Sequence, residues 1–315
     1  MEFSLTTLGT ASALPTANRY PSAHVLTVHE RLFLIDCGEG AQMQIRKVGI
    51  PFTRIDNIFL SHLHGDHLFG IFGFLSTLAM GGRQAPLYIY APEAFSKVLA
   101  FFMEQFGEGI KYEIVHTKVK TKEPLLIYDS KQVEVYAFPL LHRGETYGYL
   151  FKEKSPALNV HKHLIEPYNL SLYEIARLKE GIDVKRILDE QSGTTCMLTA
   201  QEFTYMPYKP RSFAYCSDTA PFKRLYNWIK GVDLLYHEAT YGNELKSLAK
   251  TTFHSTTADA ALCAKEAEAK KLIISHFSSR YKDTNSLLLE AREVFPNTYL
   301  AKEGTKFDIP LQKFK

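Results

Sequence analysis

Within six residues the chain sets three imidazoles and a carboxylate, in the run Ser61-His62-Leu63-His64-Gly65-Asp66-His67. A lone histidine is more often structural than a ligand. Four ligand-type side chains packed this closely without a cation would be costly to desolvate. Imidazole nitrogen and carboxylate oxygen together suit Zn²⁺ or a similar borderline ion. In an extended or turning segment His62 and His64 can point the same way. Gly65 then relaxes the backbone so that Asp66 and His67 face a second position nearby. Two metals are favoured over one, and the chemistry implied is that of a binuclear metal hydrolase.

More ligands must come from elsewhere, and three stand just past predicted strands. His142 follows a strand expected over 133–138, Asp218 one over 213–216, and His276 one over 272–274. Taken singly, each could be a cap or a core residue. Their shared position matters because ligands converge where strand ends converge.

The elements that would carry these groups alternate along the chain. Short apolar, β-branched runs predict strands over 3–8, 25–28, 32–35, 58–60, 87–90 and 234–236 besides those named, with Gly and Pro between them. Helical spacing is read over 41–48, 68–79, 93–106 and 257–271. Residues 152–210 differ in character, with one helix expected over 171–180, little strand pattern and four prolines. This segment is read as an insertion in a single 1–315 domain.

Composition adds bounds. The 315 residues are 45% hydrophobic and 23% charged, with a net charge of +3, so a nucleic-acid partner is permitted but not demanded. Cys37, Cys196, Cys216 and Cys263 form no CxxC pair, which argues against a thiolate zinc site or disulfide framework. The first residues do not read as a secretory signal, and the longest apolar stretch, 68–80, is too short to span a bilayer. A reduced cytoplasmic setting without a membrane is expected.

With these motifs in view the chain resembles the metallo-β-lactamase superfamily, and within it the ribonuclease Z family of tRNA 3′-processing endonucleases. The resemblance runs through Leu8-Gly9-Thr10, Asp36-Cys37-Gly38-Glu39-Gly40, the histidine cluster, Tyr147-Gly148-Tyr149 and Ser217-Asp218-Thr219. It continues in Ser275-His276-Phe277-Ser278-Ser279-Arg280-Tyr281. The histidine cluster alone would indicate only the superfamily. The pair His237-Glu238-Ala239-Thr240 and His254-Ser255-Thr256 is more discriminating.

The resemblance implies an αββα sandwich of α/β class with an inserted arm, and two ions per subunit, Zn²⁺ with Mn²⁺ or Fe²⁺ as alternatives. One ion would be held by His62, His64, His142 and Asp218, the other by Asp66, His67, Asp218 and His276, with Asp218 bridging. Asp66 is the expected general base. His254, oriented by Glu238, would protonate the departing ribose 3′-oxygen after hydroxide attack on the phosphodiester. The substrate implied is precursor tRNA, cleaved of its 3′ trailer. Arg19, Ser278 and Arg280 are candidates for substrate contact, and a homodimer is implied in which one subunit's arm serves the other's site.

Departures from the family pattern lie away from the ligands. Segment 152–210 lacks the Gly-Pro element of the bacterial tRNA-binding arm, and its basic residues are interleaved with acids. After Leu14-Pro15, Ala17 and Tyr20 replace the usual lysine and asparagine while Arg19 is kept. Lys118, Lys120 and Lys122 would share one face of a strand, read as a solvated edge in preference to a phosphate track. The alternatives are a hydrolase of small phosphodiesters or esters on the same fold, and a non-catalytic RNA-binding relative. The second is disfavoured because every expected ligand is present.

Overall fold

Strands apolar on both faces must be covered on both. In Arg31–Cys37, Phe33 and Ile35 enter one core while Leu32 and Leu34 enter another. In Ser212–Cys216, Phe213 and Tyr215 join that first core, and Ala214 and Cys216 join a third. The computed structural model, which describes residues 1–189 and 191–314, shows how all three cores are closed.

The chain divides into two compact units, Met1–Lys152 with Arg211–Ile309, and Glu153–Pro210 with the tail from Pro310. The larger unit holds two seven-stranded sheets. The first runs in the order Lys306–Asp308, Phe3–Gly9, Ala23–Val28, Arg31–Cys37, Ile55–Phe59, Leu87–Pro92, Ile114–Val119. It is antiparallel as far as Arg31–Cys37 and parallel beyond. The second runs Thr298–Leu300, Leu272–Ser275, Leu234–Glu238, Ser212–Cys216, Tyr147–Glu153, Val133–Pro139, Leu125–Asp129, and its first four strands are parallel.

One core joins the facing sheets, packing Phe33, Phe59 and Leu26 with Tyr149, Phe151 and Tyr236. On the outer face of the first sheet, helices Ala41–Lys47, Gly70–Met80 and Phe95–Phe106 contribute Ile45, Phe74, Leu75 and Phe102. Helices Lys223–Trp228, Thr257–Glu266 and Asn285–Val294 cover the second sheet with Leu225, Ala260, Ala264 and Leu287. The fold is the expected αββα sandwich.

Every strand expected from the sequence is present, most of them extended by a residue or more. The helix expected over 257–271 stops at Glu266, because Glu268 takes φ 54 and the chain must enter the strand at Leu272. Strand Ile114–Val119 holds Lys118 but not Lys120 or Lys122, and both Lys118 and Lys120 pair with Glu93. No helix is long and apolar enough to cross a membrane among the described residues.

The smaller unit has its own core of Val160, Leu170, Leu178, Leu198, Ala200 and Phe203. Its helix Leu172–Lys179 starts in a capping box between Ser171 and Glu174. Here the expectation of little strand structure fails. Val184–Asp189 pairs antiparallel with Thr194–Leu198, and two-residue strands join Asn159–Val160 to Thr204–Tyr205. The hairpin strands are mostly exposed, so burial never imposed the alternation by which a strand is recognised.

Candidate metal centre

The expected ligands all sit where strands end. Ile55–Phe59 leads into the extended segment of His62 and His64, and the chain then turns into helix Gly65–Leu68, which carries Asp66 and His67. Gly65 does not adopt a left-handed backbone. A Cβ there would meet the Phe69 ring at 2.4 Å, so its contribution is steric. His142 follows Val133–Pro139, Asp218 follows Ser212–Cys216, and His276, at φ 62, follows Leu272–Ser275.

These loops bring ligand atoms into adjoining groups: His62, His64, His142 and Asp218 in one, Asp66, His67 and His276 in another. Asp218 stands between them. Its Oδ2 lies 3.5 Å from His62 Nε2 and 3.7 Å from His142 Nε2, while Oδ1 lies 3.4 Å from His67 Nε2 and 3.2 Å from His276 Nε2. Asp66 Oδ2 is 3.5 Å from His67 Nε2 and accepts from the Ala13 backbone N–H at 2.7 Å.

Hydrogen bonds on the far side of each ring fix which nitrogen faces inward. His142 Nδ1 donates to the Phe253 carbonyl at 2.9 Å, and His67 Nδ1 donates to Asp36 at 2.7 Å. Thr240 Oγ1 gives its one proton to Glu238 and so accepts from His276 Nδ1. The inward nitrogens of neutral His67 and His276 then present lone pairs to one another at 3.1 Å, which only a shared proton or cation relieves. His142 Nε2 and Asp218 Oδ1 are buried without a hydrogen-bond partner. Such orphaned atoms call for an ion or water between them.

Titration tells the same story. Burial works against a charged His67, yet Asp218, Asp66 and Asp36 outweigh it and hold its pKa well above the usual value. Burial, aided by the charge on His67, pushes His62 well below. Burial opposes ionisation of Asp218, but His276 and His67 hold its carboxyl far below normal. Protons are therefore retained where a cation would neutralise the carboxylates. The donor set fits a divalent metal cofactor.

Beside the candidate ligands, buried Glu238 pairs with half-buried His254. Glu238, at the end of Leu234–Glu238, accepts at Oε1 from His254 Nδ1 and at both oxygens from the N–H groups of Thr219, Ser255 and Thr240. Burial alone would lower the His254 pKa, but Glu238 raises it to about 9.

A curated relative from Phocaeicola vulgatus, named ribonuclease Z, is 41% identical over 98% of both chains. The chain belongs to the ribonuclease Z family. A relative of the same name from Cytophaga hutchinsonii is 44% identical over 98% of this chain and 96% of its own. The crystal structure of human tRNase Z, short form, superposes with a TM-score of 0.70 at 26% identity, covering 98% of this chain and 99% of that one. A family model described as anti-Pycsar protein Apyc1 matches residues 3–153. That stretch ends before Asp218, Glu238, His254 and His276.

Against the ribonuclease Z pattern, the remaining predicted residues fall at the rim. The loop of Ala11 bridges to Phe277, and Arg19 Nη2 donates to the Lys282 carbonyl with its guanidinium over the Phe277 ring. Arg280 donates to the buried Ser278 hydroxyl at 3.2 Å. The sequence reading missed Asp36 as a site residue, although it lies in a quoted motif. Its position on the far side of His67 and its φ of 54 are properties of the fold alone.

Proposed function

We propose that this protein cleaves the 3′ trailer from precursor tRNA, using two Zn²⁺ ions held by His62, His64, His142 and Asp218 and by Asp66, His67, His276 and Asp218. The observation that carries this reading is the pair of half-buried His254 and fully buried Glu238, set beside two His/Asp clusters with Asp218 between them. The bound ions would lower the pKa of water and neutralise charge on the scissile phosphate. Asp66, ligand and neighbour of the reacting water, acts as general base. Glu238 fixes the His254 tautomer and favours its protonated form, so that His254 Nε2 can deliver a proton to the leaving 3′-oxygen.

Arg19, Ser278 and Arg280 stand on the loops flanking His276 and are assigned to contact with the RNA. The 153–210 unit is the candidate arm, although it holds seven Lys or Arg against eight Asp or Glu, and Arg186 and Arg177 are paired with Glu174 and Glu180. Shape and a few exposed lysines, rather than bulk charge, must then guide tRNA. A homodimer in the cytoplasm completes the reading, with all four cysteines as thiols.

Precursor tRNA and a small chromogenic phosphodiester, compared at matched enzyme and metal, test the proposal. Trailer removal at the tRNA 3′ end supports it. Efficient hydrolysis of the small diester with no precursor cleavage overturns it.

A further inference from the structure

We propose that one buried carboxylate, Asp36, acts through Ser61 and directly on His67 to hold both halves of the metal centre, and that the Tyr215 hydroxyl moderates its pull. The proposal rests on the two-ion reading above. Asp36 is fully buried and is not among the side chains placed to hold a metal. Its Oδ1 accepts from the Ser61 N–H at 2.7 Å. Its Oδ2 accepts from three groups: His67 Nδ1 at 2.7 Å, Ser61 Oγ at 2.9 Å and Tyr215 Oη at 2.5 Å.

Proton counting makes the connection to the other half. A carboxylate can only accept, so the single Ser61 hydroxyl proton points at Asp36, 2.9 Å away, in preference to the Ser217 hydroxyl oxygen at 3.2 Å. Ser61 Oγ, 3.0 Å from His62 Nδ1, must then accept from that nitrogen. The lone pair of His62 is left on Nε2, which faces His64 Nδ1 at 2.9 Å and Asp218. His62 belongs to one ligand group and His67 to the other, and both tautomers trace to the same carboxylate. A carboxylate drawing on Nδ1–H makes an imidazole a stronger ligand. Tyr215 is buried, and its donation to the same Oδ2 takes up part of that carboxylate's charge.

Ser61, Asp36 and Tyr215 are therefore positioning residues, and stepwise metal affinity is the readout. Metal-free protein is titrated with Zn²⁺ against a competing chromophoric chelator, and its melting is followed separately. Wild-type protein binding a single ion would overturn the two-ion reading and leave the anchor without its second half. Given two steps, Ser61→Ala weakens the one that uses His62 by about 10–100-fold and leaves the His67 step, held directly by Asp36, no weaker, while metal-free melting is retained, and Ser61→Thr restores it. Tyr215→Phe, which keeps the ring and frees Asp36 to pull harder on His67, tightens zinc several-fold. Unchanged affinity at both steps in Ser61→Ala, or an unchanged or weaker affinity in Tyr215→Phe, overturns the shared anchor. Should Ser61→Ala not fold, Tyr215→Phe decides alone.

Discussion

His254 Nδ1 donates to Glu238 Oε1 across 2.9 Å, with the carboxylate fully buried and the imidazole open at its other edge to the ligand cluster. A structural pair would gain little from such placement, whereas a proton donor requires it. His254→Ala should lower kcat by about 10²–10⁴-fold, the usual share of general acid catalysis. Bound metal, measured by elemental analysis, should stay at the wild-type level. Normal turnover in this variant would remove His254 from the mechanism.

Much of this candidate centre was legible in the sequence because the residues that could hold a metal are local or end a strand. His62 to His67 announce themselves by proximity, and His142, Asp218 and His276 by following apolar runs. The sandwich itself was implied by the family resemblance, while strands such as 32–35 and 272–274 showed as uninterrupted apolar runs. Two kinds of feature were hidden. The exposed hairpin Val184–Asp189 and Thr194–Leu198 carries no burial-imposed alternation. Asp36, 31 residues from His67, meets it only because the strand Arg31–Cys37 lies beside Ile55–Phe59.

That same neighbourhood leaves no room for a methyl group. A Cβ on Gly70 would stand 2.0 Å from the Gly38 carbonyl oxygen, and one on Gly38 would stand 2.4 Å from the Asp66 carbonyl oxygen. Both clashes are with backbone, which cannot rotate away. Gly70→Ala should therefore destabilise the protein by about 1–3 kcal/mol or more, the usual cost of overpacking. Because the displaced segment carries Asp66, zinc affinity should fall as well. Denaturant unfolding of the metal-free variant and a zinc titration measure the two effects.

In the smaller unit, Arg186 Nε and Nη2 each lie 2.6 Å from an oxygen of Glu174. Arg186 holds the Glu174 carboxyl down at about 2, helped by Ser171 and opposed by partial burial. A depressed acid stabilises the fold above its unfolded value of about 4.5, and that contribution is lost as the pH falls through the folded value. Amide protection of helix Leu172–Lys179 should accordingly decline between about pH 4.5 and 2. In Glu174→Gln it should be lower at neutral pH and lack that pH dependence. An unchanged acid profile in the variant would show that other carboxylates set it.

Removal of metal provides the most direct check on the centre itself. Without a cation, buried Asp218 and half-buried Asp66 are neutralised only by protons on neighbouring imidazoles, and His142 Nε2 has no partner. An ion bound by the folded chain and not by the unfolded one adds RT ln(1 + [L]/Kd), about 2.7 kcal/mol at a hundredfold excess over Kd. Chelation should thus lower Tm by several degrees, and stoichiometric zinc should restore it. Asp218 supplies an oxygen to each ligand group, so Asp218→Ala should abolish this zinc-dependent rise and reduce binding at both positions. His64→Ala touches one group only and should leave one ion in place, because the atoms of Asp66, His67 and His276 are untouched by it. A zinc-independent Tm in wild-type protein would mean that protons alone satisfy the cluster.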